Sequence, residues 1–148
     1  MVWNLAAGTY YVRVSLTGTF VNPAAYQFHM EGPGAGTVSD DHGYSPWSAT
    51  TVGVGSITGG VIDMEDDLDF FAFTVSSTAK YVIYTRGTAN TSGTLYNATY
   101  SYVTSDTSAG ENNNFRMEVT LTPGTYYVEV SLGSTFVNPA GYGVHVEG

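Results

Sequence analysis

The chain repeats part of itself, and that repeat decides most of what it can fold into. Leu5–Gly32 aligns without a gap on Leu121–Gly148, at an offset of 116 residues, and 19 of the 28 paired positions are identical. The stretch from Pro33 to Gly148 is itself 116 residues long. The chain therefore reads as the end of one unit followed by one whole unit, and such a period has to be found before a fold is assigned. Residues 1–32 are the expected C-terminal hairpin of a preceding unit, 33–39 a linker and 40–148 a complete domain. Glu31-Gly-Pro-Gly-Ala-Gly36 supplies the Gly and Pro that break regular structure at the join.

Inside the complete unit the apolar period is two. Tyr126, Val128, Val130 and Leu132 fall on one face, against Tyr127, Glu129 and Ser131 on the other. Phe115, Met117, Val119 and Leu121 oppose Arg116, Glu118 and Thr120 in the same way. One buried and one wet face is the pattern of an antiparallel sheet. Strands are expected over 54–62, 68–75, 79–86, 94–103, 114–121, 125–132 and 140–147. Short strands between Gly, Asn and Ser turns point to a sandwich. Leu121-Thr-Pro-Gly-Thr-Tyr126 resembles a tyrosine corner, in which a phenol bonds backbone near a sheet crossover. The expected fold is an all-β, antiparallel Greek-key or jelly-roll-like β-sandwich.

Charge narrows the function. The net charge is -9, and Arg13, Lys80, Arg86 and Arg116 are the only Lys and Arg residues. Nucleic-acid binding needs clustered cations to replace phosphate counterions, so it is excluded as a class. There is no cysteine, hence no disulfide, thiolate zinc site or Cys nucleophile. No stretch is long and apolar enough for a membrane-spanning helix, and the first residues carry no signal-peptide pattern. Catalysis has little support. No Gly-x-Ser-x-Gly elbow is present. Gly53-Val-Gly55 and Gly59-Gly60 lie among strands rather than before a helix, so they form no phosphate loop. The chain is expected not to be an enzyme.

Several segments together resemble the bacterial pre-peptidase C-terminal domain family. They are Asp40-Asp-His-Gly43, Gly60-Val-Ile-Asp63, Asp67-Leu-Asp-Phe-Phe-Ala-Phe73, Thr94-Leu-Tyr96, Asn114-Phe115 and Leu121–Val130 followed by Tyr142. The resemblance spans about 40–148. It implies a Greek-key or jelly-roll-like sandwich serving as a non-catalytic accessory module of secreted bacterial enzymes or surface proteins. It also implies a secreted, extracellular or cell-surface location. Relatives act in secretion, in attachment to substrate or matrix, and in calcium-dependent stiffening.

The candidate metal site is an acidic run. Asp63, Glu65, Asp66, Asp67 and Asp69 place five carboxylates in seven positions. Such charges repel one another, and a hard cation taking six to eight oxygens would relieve them. The run is too crowded to hold one acid and one base on opposite sides of a sugar, and it lacks the Gly of an EF-hand. Asp67 and Asp69 share a strand face with Phe71 and Phe73, so Asp69 points toward the core, where an unpaired charge is expensive. The competing reading makes Asp69 a cap for nearby backbone amides and leaves the rest solvated. The resemblance adds Asp40 and Asp41, since some relatives gather calcium ligands just after the linker. The expected calcium set is Asp40, Asp41, Asp63, Asp67 and Asp69.

The extra copy is the candidate assembly element. A lone hairpin is marginal in water. Tyr10, Val12, Val14, Leu16, Phe20, Tyr26 and Phe28 are apolar positions of its two strands. Each such side chain gains about 1.5–3 kcal/mol on burial. Three places are open to them: the sheet of their own unit, the sandwich of another copy, or a poorly ordered remnant, and burial in another copy is the expected one. Exchange between copies does not close by symmetry and leads to head-to-tail filaments. The expected partner is therefore the chain itself, and the alternative is a polysaccharide or matrix protein gripped by outward aromatics among Tyr11, Trp47, Tyr84, Tyr96, Tyr100, Tyr102 and Tyr127. His29 and His145 are repeat equivalents read as solvated strand residues, and His42 as a loop residue bonded locally.

Overall fold

Alternating burial organises the long strands. The computed structural model describes residues 8–9, 40–62, 67–133 and 140–148. The chain divides into two units, Met1–Thr37 and Val38–Gly148. The second unit runs through β1 (Thr50–Thr51), β2 (Ile57–Ile62), β3 (Leu68–Val75), β4 (Ala79–Gly87) and β5 (Thr91–Asn97). It continues through β6 (Tyr102–Asp106), β7 (Arg116–Leu121), β8 (Gly124–Leu132) and β9 (Ala140–Glu147). Two short 3-10 turns, Pro46–Ser48 and Glu111–Asn113, complete it. No α-helix occurs among the described residues, and hence none long enough to cross a membrane.

One sheet has the order β1-β3-β8-β5-β6, the other β2-β9-β4-β7. All pairs are antiparallel except β1 with β3. Their inner faces meet over Phe71, Phe73, Ile83, Leu95, Phe115, Val128 and Val144, each at most 1% exposed. This is the expected β-sandwich, and β8 and β7 bury the predicted faces. The tyrosine corner is formed: the Tyr126 hydroxyl donates to the carbonyl of Thr122 at 3.0 Å. At one end of the core, Asn114 is fully buried and accepts from the Thr91 hydroxyl at 2.8 Å while donating to the carbonyl of Glu111 at 2.9 Å.

Three expectations need correction. Residues 94–103 are not one strand. The side chain of Asn97 accepts from the backbone of Thr99 and Ser101, and Tyr100 takes φ 58°, so the chain reverses between β5 and β6. The strand expected over 54–62 begins only at Ile57, because Gly55 at φ 85° makes a turn before it. Nor is 121–148 a hairpin. β8 pairs with β3 and β5, whereas β9 pairs with β2 and β4 in the other sheet. The final two strands therefore occupy an interior place in each sheet.

Candidate metal centre

Pleat parity carries Asp69 inward. In β3 it stands on the face of Phe71 and Phe73, opposite Val130 of β8, with no exposed surface. β9 supplies its partner from the other sheet: the Tyr142 hydroxyl donates to Asp69 Oδ2. Gly60 makes that reach possible. It pairs with Tyr142 in the β2–β9 ladder, and a Cβ there would lie 2.4 Å from the phenol ring. The other oxygen, Asp69 Oδ1, is buried without a hydrogen-bond partner. Burial, opposed by the Tyr142 bond and reinforced by the charge of Asp67, pushes the Asp69 carboxyl up to about 7. Burial and the Asp69 charge hold the Tyr142 phenol well above its ordinary value.

Asp40 and Asp67 converge on the same spot. One carboxylate oxygen from each of Asp40, Asp67 and Asp69 lies within 4.8 Å of the others. Asp67 is 7% exposed, and Asp40 lies open to solvent. The donor set suits calcium. Oxygens at about 2.3–2.6 Å from one ion stand at most about 5 Å apart, and all three donors are hard oxygens. The unpartnered Oδ1 fits a cation ligand, because a buried polar atom without a partner costs about 1–3 kcal/mol, and more when charged.

Sequence reasoning missed His42. It does not bond only locally: with Gly59 O able only to accept, the ring Nε2–H donates to it at 2.7 Å, and Nδ1 takes the Thr50 hydroxyl at 2.8 Å. Its ring packs 4.5 Å from that of Phe71. It thus closes the sandwich side between β1 and β2. The Asp-His adjacency was the available signal, but its partners are 8 and 17 residues away.

No family model matches the sequence, and no curated protein is significantly similar. Among solved structures, the pre-peptidase C-terminal domain of collagenase from Bacillus anthracis is similar, with a TM-score of 0.55 and 20% identity. The match covers 66% of this chain and 93% of that domain. The sandwich has the pre-peptidase C-terminal domain fold.

Within this pre-peptidase C-terminal fold the other expected residues separate. Asp41 is not in the carboxylate cluster; it faces His42 Nε2 at 3.6 Å. Asp63, His29 and the proposed assembly residues Tyr10, Val12, Val14, Leu16, Phe20, Tyr26 and Phe28 lie outside the described residues. His145 is not solvated. It is 9% exposed and stacks on Tyr84 at 4.5 Å, and the Arg86 guanidinium lies over the Tyr84 ring at 5.3 Å. Burial and Arg86 hold its pKa below the ordinary value. Tyr96 and Tyr127 form a cross-strand pair, and the Tyr96 hydroxyl donates to Glu129 at 3.1 Å. Trp47 and Tyr44 stand out, at 89% and 75% exposure.

Proposed function

We propose that this protein is a non-catalytic extracellular β-sandwich module whose incoming chain is fastened to the domain by calcium. The observation that carries the reading is Asp69: a fully buried carboxylate with one oxygen unpartnered, joined by Asp40 from the entry loop and Asp67 from the start of β3. Calcium there would bind residues on either side of the sequence and stiffen the domain entrance. Its chemistry is charge neutralisation and orientation of these carboxylates. The likeness in fold to a domain of a collagenase supports an accessory role on or beside a larger secreted protein.

The residues weigh against catalysis. His42 stands between Asp41 and Thr50, but its Nε2 proton is directed to the Gly59 carbonyl and its ring is packed on Phe71. An open cleft of about 280 Å³ is lined by Tyr84, Arg86, Arg116, Glu111 and Glu147. There Arg116 already pairs with Glu118, and Tyr84 with Glu147.

Isothermal titration of calcium into chelator-treated protein tests the site. One equivalent of heat is expected, with a rise in melting temperature, and both should vanish in Asp69→Asn. No heat and no shift in the wild type would remove the proposal.

A second reading is attachment to polysaccharide or matrix protein. Trp47 and Tyr44 favour it, since they project from a loop held by the Ser45–Ser48 hydroxyl bond and by Phe70 N–H to the Gly43 carbonyl. Loss of pull-down in Trp47→Ala, with an unchanged melting temperature, supports this reading.

Topology weighs against filaments built by exchange of 5–32 for 121–148. Exchange would open both sheets. Thr17 would also replace Gly133, where a Cβ meets Asn90 Oδ1 at 2.5 Å, and Gln27 would replace Gly143, where it meets Ile57 at 3.2 Å.

A further inference from the structure

A two-sheet sandwich has four edge strands, and unpaired edges are templates for association unless something blunts them. Three of the four are blunted here. β1 has two residues. β7 carries Arg116 and Glu118, which pair with each other, and Lys80 also reaches Glu118. β6 is tied across to β7, where Asp106 accepts the backbone N–H of Arg116 at 2.9 Å. β2 differs. Ile57-Thr-Gly-Gly-Val-Ile62 has no charge and no proline, and Ile57 and Val61 are 69% and 38% exposed. Among the described residues it has a strand neighbour, β9, on one side only. What stands against it is His42, whose Nε2–H occupies the Gly59 carbonyl at mid-strand.

We propose that the β2 edge is a self-pairing surface for a second copy of this chain, and that His42 is the stopper that keeps it closed. The occupant follows from the sequence of the strand. Two copies related by a two-fold axis normal to the sheet pair antiparallel, with opposed residues on the same face. Centred on Gly59, this register sets Gly59 against Gly59 of the partner and Ile57 against Val61 twice, which covers both exposed apolar side chains. Gly59 adds no side-chain bulk at the centre. An isologous pair closes, so the product is a dimer and not a fibre. The pairing itself uses no carboxylate of the cluster, but the His42 backbone N–H donates to Asp40 Oδ1 at 3.4 Å, so the comparison is made with calcium present throughout.

The test is light scattering with size-exclusion chromatography on the full chain in calcium. Wild type is expected as a monomer, His42→Ala at twice the monomer mass, and His42→Ala with Val61→Lys as a monomer again. Amide exchange should slow at Gly59 and Val61 in the dimer. If His42→Ala unfolds, Thr50→Ala releases the other ring nitrogen, and partial dimerisation is expected. A folded His42→Ala or Thr50→Ala that stays monomeric overturns the proposal, and so does association that Val61→Lys leaves unchanged.

Discussion

The phenol of Tyr142 donates to the carboxylate of Asp69 across 73 residues of chain, and in doing so ties the two sheets together at the acidic end of the core. Tyr142→Phe removes that donor and leaves both Asp69 oxygens in want of partners. In chelator the variant should lose about 1–3 kcal/mol, the usual cost of an unsatisfied buried group. Calcium should narrow the gap, because a cation satisfies the carboxylate independently of the phenol. Urea melts with and without calcium measure both numbers, and an equal loss in the two conditions contradicts the assignment.

Gly60 is the space into which the Tyr142 ring fits. A Cβ at 2.4 Å from the ring forces the phenol aside. Gly60→Ala should cost about 1–3 kcal/mol, as overpacking does, and it should weaken calcium binding. Gly59→Ala, with nothing nearer than 3.9 Å, is the control. Calorimetry that ranks the two alike argues against the fit.

The tyrosine corner predicts a local loss. Tyr126→Phe deletes the bond to Thr122 while keeping the ring stacked on Phe73 at 5.9 Å. Stability should fall by about 1 kcal/mol with calcium affinity unchanged. A change in calcium affinity would tie the corner to the metal site.

Asp106 sets an acid limit. Burial disfavours its charge, but backbone N–H groups of Arg116, Ala109, Ser108 and Thr107 outweigh burial and leave its pKa below the ordinary 3.8. A lowered folded pKa contributes stability that is complete above the unfolded value and lost as pH falls through the folded one. Wild type should therefore weaken below about pH 4, and Asp106→Asn should show a flatter loss there. Parallel acid melts for the two proteins would contradict this account.

Much of the fold was legible in the sequence, because a strand writes its two faces into alternate residues. Tyr126, Val128 and Val130 announced the core face of β8, and the same parity sent Asp69 inward with Phe71 and Phe73. The turn that splits β5 from β6 was harder to see. It rests on the Asn97 side chain replacing ladder bonds, and Thr and Tyr on either side suit a strand as well as a turn. His145 was misjudged because period two separates faces without saying what covers the outer one, and here Tyr84 does.

The sequence by itself determined the repeat, which is a comparison of the chain with itself, and the sandwich class, the tyrosine corner and the inward aim of Asp69, which follow from neighbours within a few residues. Only the tertiary structure decided that β8 and β9 enter different sheets, that Asp40 joins Asp67 and Asp69 while Asp41 does not, and that His42 closes on Gly59. Those relations depend on strand order and register between distant segments. Local periodicity carries no record of them, because many pairings bury the same apolar faces.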